Sequence, residues 1–107
     1  MSQEKLDQLL IELKTGLFRL YRNQLAEVYL YGSYARGEQD SESDLDILIV
    51  LTNYERYSAE IDRTAALVSS ISLKYGVSIS TVFLNMQEWG ESDTPLLRNI
   101  RVEGVAV

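Results

Sequence analysis

The stretch from residue 45 to residue 51 reads Leu-Asp-Ile-Leu-Ile-Val-Leu and is aliphatic at every position except Asp46. A strand with one solvent-exposed face alternates apolar and polar residues, whereas a strand covered on both faces is apolar almost throughout. The run therefore predicts a central β-strand with other layers of structure packed on both of its faces. The chain has 107 residues, which is the length of one domain with a core of its own. We predict a single domain over residues 1–107.

Two stretches with helical periodicity can supply the covering layers. Leucines spaced three and four residues apart predict a helix over about residues 3–22, with Ser2 as its N-cap. A second helix is predicted over about residues 57–75 and ends at Gly76. The side chains predicted to face the core are Leu6, Leu9, Leu10, Leu13, Leu17 and Leu20 in the first helix, and Ile61, Ala65, Val68, Ile71 or Ser72, and Tyr75 in the second.

Shorter elements complete the predicted order. Alternation around Val28 and Leu30 predicts a strand from Ala26 to Gly32, and β-branched residues predict a third strand over residues 77–84. Thr94 and Pro95 predict the start of a short helix that runs to about Arg101, while residues 36–43 predict a loop. The apolar terminus, residues 102–107, fits either a sheet edge or a partner contact. The order indicates an α/β (α+β) fold in which a small mixed β-sheet of about three to four strands is flanked by helices.

Composition excludes several classes of function. The chain has no histidine and no cysteine, which excludes Ser-His-Asp hydrolysis, thiol catalysis, disulfides and zinc sites built from these residues. Any bound metal would be a hard cation held by carboxylates. The formal net charge of −6 argues against direct nucleic-acid binding, which needs clustered Lys and Arg. Because no apolar run is long enough for a membrane span and the N-terminus is charged, we expect a cytoplasmic protein without a membrane partner.

Residues 32–46 carry the candidate chemistry. Gly32 and Ser33 follow a predicted strand, where glycine permits close approach of a ligand and free N–H groups with a hydroxyl can hold phosphate oxygens. Asp44 and Asp46 are two residues apart at the start of a strand, so their carboxylates point to the same face. Two such carboxylates repel each other unless a cation lies between them, and Mg²⁺ suits this donor set. An isolated Asp-x-Asp is more often structural, and the loop acids Glu38, Asp40 and Glu42 are expected to be solvated charges.

The two features occur together in one pattern: Gly-Ser, ten residues, and then Asp-x-Asp. This pattern resembles the signature of the nucleotidyltransferase superfamily typified by DNA polymerase beta. The fuller strings Gly-Ser-Tyr-Ala-Arg-Gly and Ser-Asp-Leu-Asp-Ile-Leu-Ile-Val resemble its minimal nucleotidyltransferase (MNT) branch. Members of this branch are small antitoxins that are paired with a HEPN-domain toxin.

The resemblance implies a role for each matching residue. Gly32 and Ser33 would hold the β- and γ-phosphates of ATP, and Arg36 would be a further phosphate contact. Asp44 and Asp46 would be the catalytic carboxylates and the ligands of one or two Mg²⁺ ions. The implied activity is the transfer of AMP from ATP to a tyrosine hydroxyl of a HEPN ribonuclease toxin, within a hetero-oligomer of the two proteins. The acidic charge agrees with a basic, RNA-cleaving partner.

The sequence departs from this family pattern at one position. The superfamily has a third carboxylate on the adjacent strand, whereas residues 77–84 contain no acid. Ser78 or Ser80 is predicted at that position, with Ser78 favoured, and a serine hydroxyl is a weak, neutral metal ligand. Glu88, Glu91 and Asp93 follow the strand, but their spacing indicates surface charges.

Three outcomes of this departure stay open: transfer without the third acid, binding of ATP and Mg²⁺ without transfer, and neutralisation of the toxin by contact alone. A nucleotidyltransferase acting on a small molecule or on RNA is a further, less favoured alternative, because the chain is short and acidic.

Overall fold

The central layer of the protein is a four-stranded mixed sheet with helices on both faces. The structure is a computed structural model that describes all residues 1–107. The helices are α1 (Gln3–Tyr21), α2 (Ser33–Arg36), α3 (Tyr57–Tyr75), α4 (Met86–Glu91) and α5 (Pro95–Glu103), with a 3-10 turn over Arg22–Gln24. The strands are β1 (Leu25–Tyr31), β2 (Leu45–Leu51), β3 (Ile79–Asn85) and β4 (Val105–Ala106). This architecture confirms the predicted fold class.

The strand order in the sheet is β3-β2-β1-β4, so the aliphatic run lies between two neighbours. β1 pairs antiparallel with β2 and with β4, whereas β2 and β3 are parallel and are joined by the crossover through α3. Every residue of β2 except Asp46 is buried. The prediction of a central strand covered on both faces is therefore confirmed.

The two faces of β2 belong to two different clusters of apolar side chains. Leu45, Ile47, Ile49 and Leu51 join the larger cluster, to which α1 and α3 contribute. Leu48 and Val50 join a smaller cluster with Leu97 and Ile100 of α5. Because side chains alternate along a strand, Asp46 lies on the α5 side, on the same face as Leu48.

The first helix has the predicted bounds and cap, and most of the predicted buried face. The Ser2 side chain accepts a hydrogen bond from the Lys5 N–H, and Leu6, Leu9, Leu13 and Leu17 are buried. Leu10 is only half-buried, and Leu20 is 42 % exposed, so the prediction that Leu20 faces the core is wrong. Tyr21 is buried in its place because α1 ends there and its last turn packs onto α3.

The bounds of α3 are those predicted, but its predicted inner face is only partly correct: Ile71 is buried and Tyr75 packs against the core, as expected. Glu60, Thr64 and Ile71 are the buried residues of α3, whereas Ile61 and Ala65 are exposed. Burial of Glu60 becomes favourable because its carboxylate accepts hydrogen bonds from the Tyr21 hydroxyl at 2.8 Å and from Arg63 at 3.1 Å. In the first half of α3 the buried positions Glu60 and Thr64 therefore precede the predicted Ile61 and Ala65 by one residue.

Several elements differ from the sequence prediction. The strand predicted over 77–84 begins at Ile79, so Ser78 precedes it, and the last helix continues to Glu103. Helix α4 was not predicted; it begins with a capping box between Asn85 and Glu88. β4 pairs with β1, which makes the apolar terminus a sheet edge. None of the helices combines the length and hydrophobicity that crossing a membrane requires.

Candidate functional site

The Gly-Ser turn and the two aspartates meet at one end of the sheet. β1 ends at Tyr31, immediately before Gly32, and the antiparallel pairing sets Tyr31 opposite Asp46 near the start of β2. The residues that the sequence analysis joined by a pattern are thus neighbours in space, although a loop of eight residues, 37–44, separates α2 from β2.

Gly32 adopts a backbone conformation that only glycine tolerates, with φ 74° and ψ −155°. A Cβ atom at this position would lie 2.3 Å from Oδ2 of Asp46, so the Asp46 carboxylate rests directly against the glycine. Ser33 then begins the short helix α2, which Gly37 ends in a left-handed conformation. The first N–H groups of this turn have no intrahelical acceptor, as at any helix start.

The two aspartates differ in their environment. Asp44 is exposed and precedes β2, whereas Asp46 is partly buried within it. Burial raises the pKa of Asp46, the neighbouring charge of Asp44 raises it further, and the positive charge of Arg36 opposes this rise. Neither aspartate forms an ion pair with a Lys or Arg side chain. Two mutually repelling carboxylates without a cationic partner are a donor set that fits a hard divalent cation such as Mg²⁺.

No third acidic side chain joins this pair. The structure contains no group of three or more Asp, Glu, His or Cys residues that could hold a metal ion. In the parallel pairing of β2 with β3, the residue opposite Asp46 is Ser80. Ser78 lies before the strand, where its carbonyl oxygen accepts a hydrogen bond from the Leu45 N–H at 2.8 Å. The register therefore favours Ser80 over Ser78 as the neighbour of Asp46, the reverse of the preference drawn from sequence.

Arg36 is held at the edge of the site by two carboxylates. Its Nε lies 3.0 Å from Glu38, and its Nη1 lies 3.1 Å from Glu103 at the end of α5. Hydrogen bonds to Glu38 and Glu103 raise the pKa of the Arg36 guanidinium above its ordinary value. Glu103 could not be predicted from the sequence, because no local pattern connects residues that are 67 positions apart.

The remaining acids of this region have structural or solvated roles. Asp40 stays within the loop, where it accepts hydrogen bonds from the Glu42 N–H and the Ser43 hydroxyl. Glu88 caps α4 and accepts a hydrogen bond from the Tyr54 hydroxyl, so it does not replace a site residue. The loop also forms one wall of a cleft of about 660 Å³ that reaches Asp44 and is lined by polar groups of residues 39–44 together with Tyr34, Tyr75 and Ser78.

Comparison with known proteins identifies the family of this region. The model of the nucleotidyltransferase domain family matches residues 10–103, which include every site residue described above. A protein of Methanocaldococcus jannaschii assigned as a protein adenylyltransferase, MJ0141, is 35% identical over 75 residues. This match covers 70% of the chain and 75% of the relative.

Solved structures share the fold at low sequence identity. The structure of a toxin–antitoxin with AMP-PNP superposes with a TM-score of 0.63 at 22% identity, covering 92% of this chain and 69% of the other. An MNT antitoxin in complex with a tri-AMPylated HEPN toxin of Shewanella oneidensis gives a TM-score of 0.53 at 17% identity, covering 92% and 70%. These likenesses establish the fold that the chain shares with them.

Proposed function

The chain belongs to the nucleotidyltransferase domain family, and we propose that it is an antitoxin that transfers AMP from ATP to a tyrosine hydroxyl of a HEPN ribonuclease toxin. The observation that carries this proposal is the adjacency of the Gly32-Ser33 turn to Asp44 and Asp46 at one end of the sheet. A turn with free N–H groups suits phosphates, and paired carboxylates suit the metal that accompanies them.

Each residue of the proposed site would contact either the phosphates of ATP or the metal ion. The backbone N–H groups of the Gly32-Ser33 turn and the Ser33 hydroxyl would bind the β- and γ-phosphates, and Arg36 would add a positive charge beside them. Asp44 and Asp46 would hold Mg²⁺, which when bound neutralises phosphate charge and assists departure of pyrophosphate. The Asp46 carboxylate rests against Gly32 and so adjoins the turn that would bind the phosphates.

The proposed transfer is an in-line displacement at phosphorus. The acceptor tyrosine gives its hydroxyl proton to solvent as its oxygen forms a bond to the α-phosphorus, and the bond from that phosphorus to the bridging oxygen breaks, releasing pyrophosphate. The work left to the chain is positioning and charge stabilisation, for which the turn and the two carboxylates are suited. Without a third carboxylate to activate the acceptor, we expect slow transfer.

Two further observations support a protein acceptor. MJ0141, the relative at 35% identity, is assigned as a protein adenylyltransferase, and a protein of the same fold occurs in complex with a tri-AMPylated HEPN toxin. The net charge of −6 favours a basic protein partner over nucleic acid, because opposite charges steer association.

One observation favours a second candidate function. Ser80, a neutral residue, lies opposite Asp46, and no third acid approaches the pair. An antitoxin that binds its toxin, with or without ATP and Mg²⁺, but transfers nothing would have such a site. This alternative belongs to a different class, since it is a binding protein rather than an enzyme.

Labelled ATP separates the two candidates. The chain is incubated with ATP labelled at the α-phosphate, Mg²⁺ and a HEPN-domain ribonuclease, and both the label on the ribonuclease and its RNA cleavage are measured. We expect label on the ribonuclease, with at least a hundredfold loss in Asp44→Asn and in Asp46→Asn and none in the loop control Asp40→Asn. Neutralisation that persists in both site variants, without label, would favour the binding protein and contradict the transferase.

A further inference from the structure

β3 is an edge strand, so one side of its backbone faces away from the sheet. The hydrogen bonds show which residues of β3 point their backbone N–H and C=O groups toward β2 and which point them away. The Ser78 carbonyl accepts from Leu45 of the neighbouring β2 segment, so even-numbered residues of this stretch face inward. Residues 79, 81, 83 and 85 therefore present their N–H and C=O groups at the outer edge.

The outward N–H groups in the second half of β3 have hydrogen-bond acceptors within the chain, whereas those in the first half do not. The Phe83 N–H donates to the Tyr57 hydroxyl at 3.2 Å, and the Asn85 N–H donates to the Glu88 carboxylate at 3.0 Å. The N–H groups of Ile79 and Thr81 have no hydrogen-bond acceptor within the chain. We call Ile79–Thr81 the open segment of β3.

A groove of about 300 Å³ runs between this open segment and helix α3. Its helical wall is the apolar stripe that the sequence analysis assigned to the core: Ile61, Ala65, Val68 and Ser72. The opposite wall consists of Ile79 and Thr81, and no charged side chain lines the groove. Ile61 is 39 % exposed, so the chain leaves part of this stripe uncovered.

The open segment also lacks the devices that normally keep strand edges apart. Exposed edges of monomeric proteins carry charged residues, proline or a bulge, which prevent pairing with another strand. The segment 77–85 reads Val-Ser-Ile-Ser-Thr-Val-Phe-Leu-Asn and contains no charge and no proline, and its pairing with β2 is continuous. The two outward-facing residues of the open segment, Ile79 and Thr81, are therefore able to pair with a further strand.

The absence of charge along the groove and the open segment indicates what kind of partner can bind there. A strongly basic partner is attracted by acidic side chains, whereas no charged side chain lines the groove and residues 77–85 contain none. The segment that matches an uncharged apolar edge in charge and in hydrogen-bonding capacity is the same segment of another copy. Like-charge repulsion between two chains of net charge −6 is smaller where the contact itself carries no charged side chain, as in this groove.

We propose that the open segment of β3 pairs antiparallel with that of a second copy, joining the two sheets across a two-fold axis. Ile79 of each copy then lies opposite Thr81 of the other, their outward N–H and C=O groups exchange hydrogen bonds, and the axis passes beside Ser80. The α3 stripes meet on the face below, where Ala65 and Ser72 are small enough for close helix approach. Because the contact is limited in area, the dimer forms in a concentration-dependent manner.

Two measurements on the full chain test this proposal. Sedimentation velocity over a range of protein concentrations reports mass, and we expect it to rise from 12.2 kDa toward twice that value. Amide hydrogen exchange reports the contact itself. The Ile79 and Thr81 amides should become protected as concentration rises, whereas the Phe83 amide, which already donates to Tyr57, should not change.

Three variants identify the surface. Ala65→Glu adds a charge to an exposed position of the groove and should weaken association by at least about tenfold, because the two copies then oppose like charges. Thr81→Pro removes an outward N–H without breaking a bond to β2 and should act similarly. Leu73→Glu is the matched control on the same helix; Leu73 is 83 % exposed and lies outside the groove, so the variant should associate as the original chain does.

A chain that stays monomeric at every concentration, with Ile79 and Thr81 amides that exchange freely, would overturn the proposal. So would association that survives both Ala65→Glu and Thr81→Pro, since the contact would then lie elsewhere. Protection of these amides that appears only when a HEPN-domain protein is added would also overturn it and assign the edge to that partner. None of these results depends on nucleotide transfer, so the dimer and the proposed activity can fail separately.

Discussion

Replacing Gly32 by alanine adds a single Cβ atom, which affects both the stability of the fold and the position of the Asp46 carboxylate. The backbone of Gly32 lies at φ 74° and ψ −155°, a region that side-chain-bearing residues reach only at a cost of about 1–3 kcal/mol. The new Cβ would also lie 2.3 Å from Asp46 Oδ2, so the carboxylate must rotate away. Forcing a side chain off its rotamer adds about 0.5–1.5 kcal/mol. We therefore expect Gly32→Ala to lower the free energy of unfolding by about 2–4 kcal/mol.

Gly37→Ala is the matched control within the same turn. Gly37 also has a positive φ, 71°, but it adopts the milder left-handed helical conformation, and nothing lies within 4 Å of a Cβ built there. Gly37→Ala should therefore lower the free energy of unfolding only by the cost of placing alanine in the left-handed backbone conformation, about 1–2 kcal/mol. The excess cost of Gly32→Ala over Gly37→Ala measures the contact with Asp46 together with the more restricted backbone.

A double-mutant cycle isolates the contact. In an Asp46→Ala background, the nearest remaining atom to the new Cβ is the Cβ of residue 46 at 3.4 Å, which is ordinary van der Waals contact. Gly32→Ala should therefore cost about 1 kcal/mol less in that background than in the original chain. The assay is urea unfolding followed by circular dichroism, with thermal unfolding as a check; for 107 residues the single variant should lose about 8–20 °C in Tm. Equal costs for Gly32→Ala and Gly37→Ala, or a cycle without coupling, would refute the assigned contact.

Two further changes have defined outcomes. Tyr21→Phe removes a hydrogen bond to the buried Glu60 carboxylate and should lower the free energy of unfolding in urea by about 1–3 kcal/mol. In the control Tyr75→Phe the lost hydrogen bond is only part-buried, so the free energy of unfolding should change by less than about 0.5 kcal/mol. Equal effects of the two variants would contradict the role assigned to burial. Ser80→Asp should increase AMP transfer in the labelled-ATP assay, and by more than Ser78→Asp, because only Ser80 lies opposite Asp46; no gain from either would mean that no metal ligand is missing.

The parts of the fold that depend on local signals were predictable from the sequence. The start of α1 follows from its Ser2 cap and the end of α3 from Gly76, both with apolar spacing between. Every residue of β2 except Asp46 is apolar and buried, as expected for a strand covered on both faces. The adjacency of the Gly-Ser turn and the aspartates followed only from the resemblance, since the chain between them has no periodicity. The structure explains it by antiparallel pairing of Tyr31 with Asp46.

The orientation of α3 could not be predicted, because apolar spacing alone does not reveal where a polar side chain is satisfied. Glu60 reads as a surface residue, yet it is buried beside Tyr21, and burial and the carboxylate together raise the pKa of that tyrosine. Its partner is 39 residues away in the chain, which no local pattern reports.

The same limit applies to the serine beside Asp46 and to the uncovered stripe of α3. A strand prediction that is wrong by two residues at its start cannot decide between Ser78 and Ser80, because both share a face; only the ladder with β2 distinguishes them. Likewise, the spacing of Ile61, Ala65 and Val68 predicts an inner face, but in the structure Ile61 and Ala65 are exposed and Glu60 and Thr64 are buried beside them. The sheet of this chain covers the adjacent face, and the stripe instead lines the groove beside the open segment of β3, where the proposed pairing of two copies would cover it.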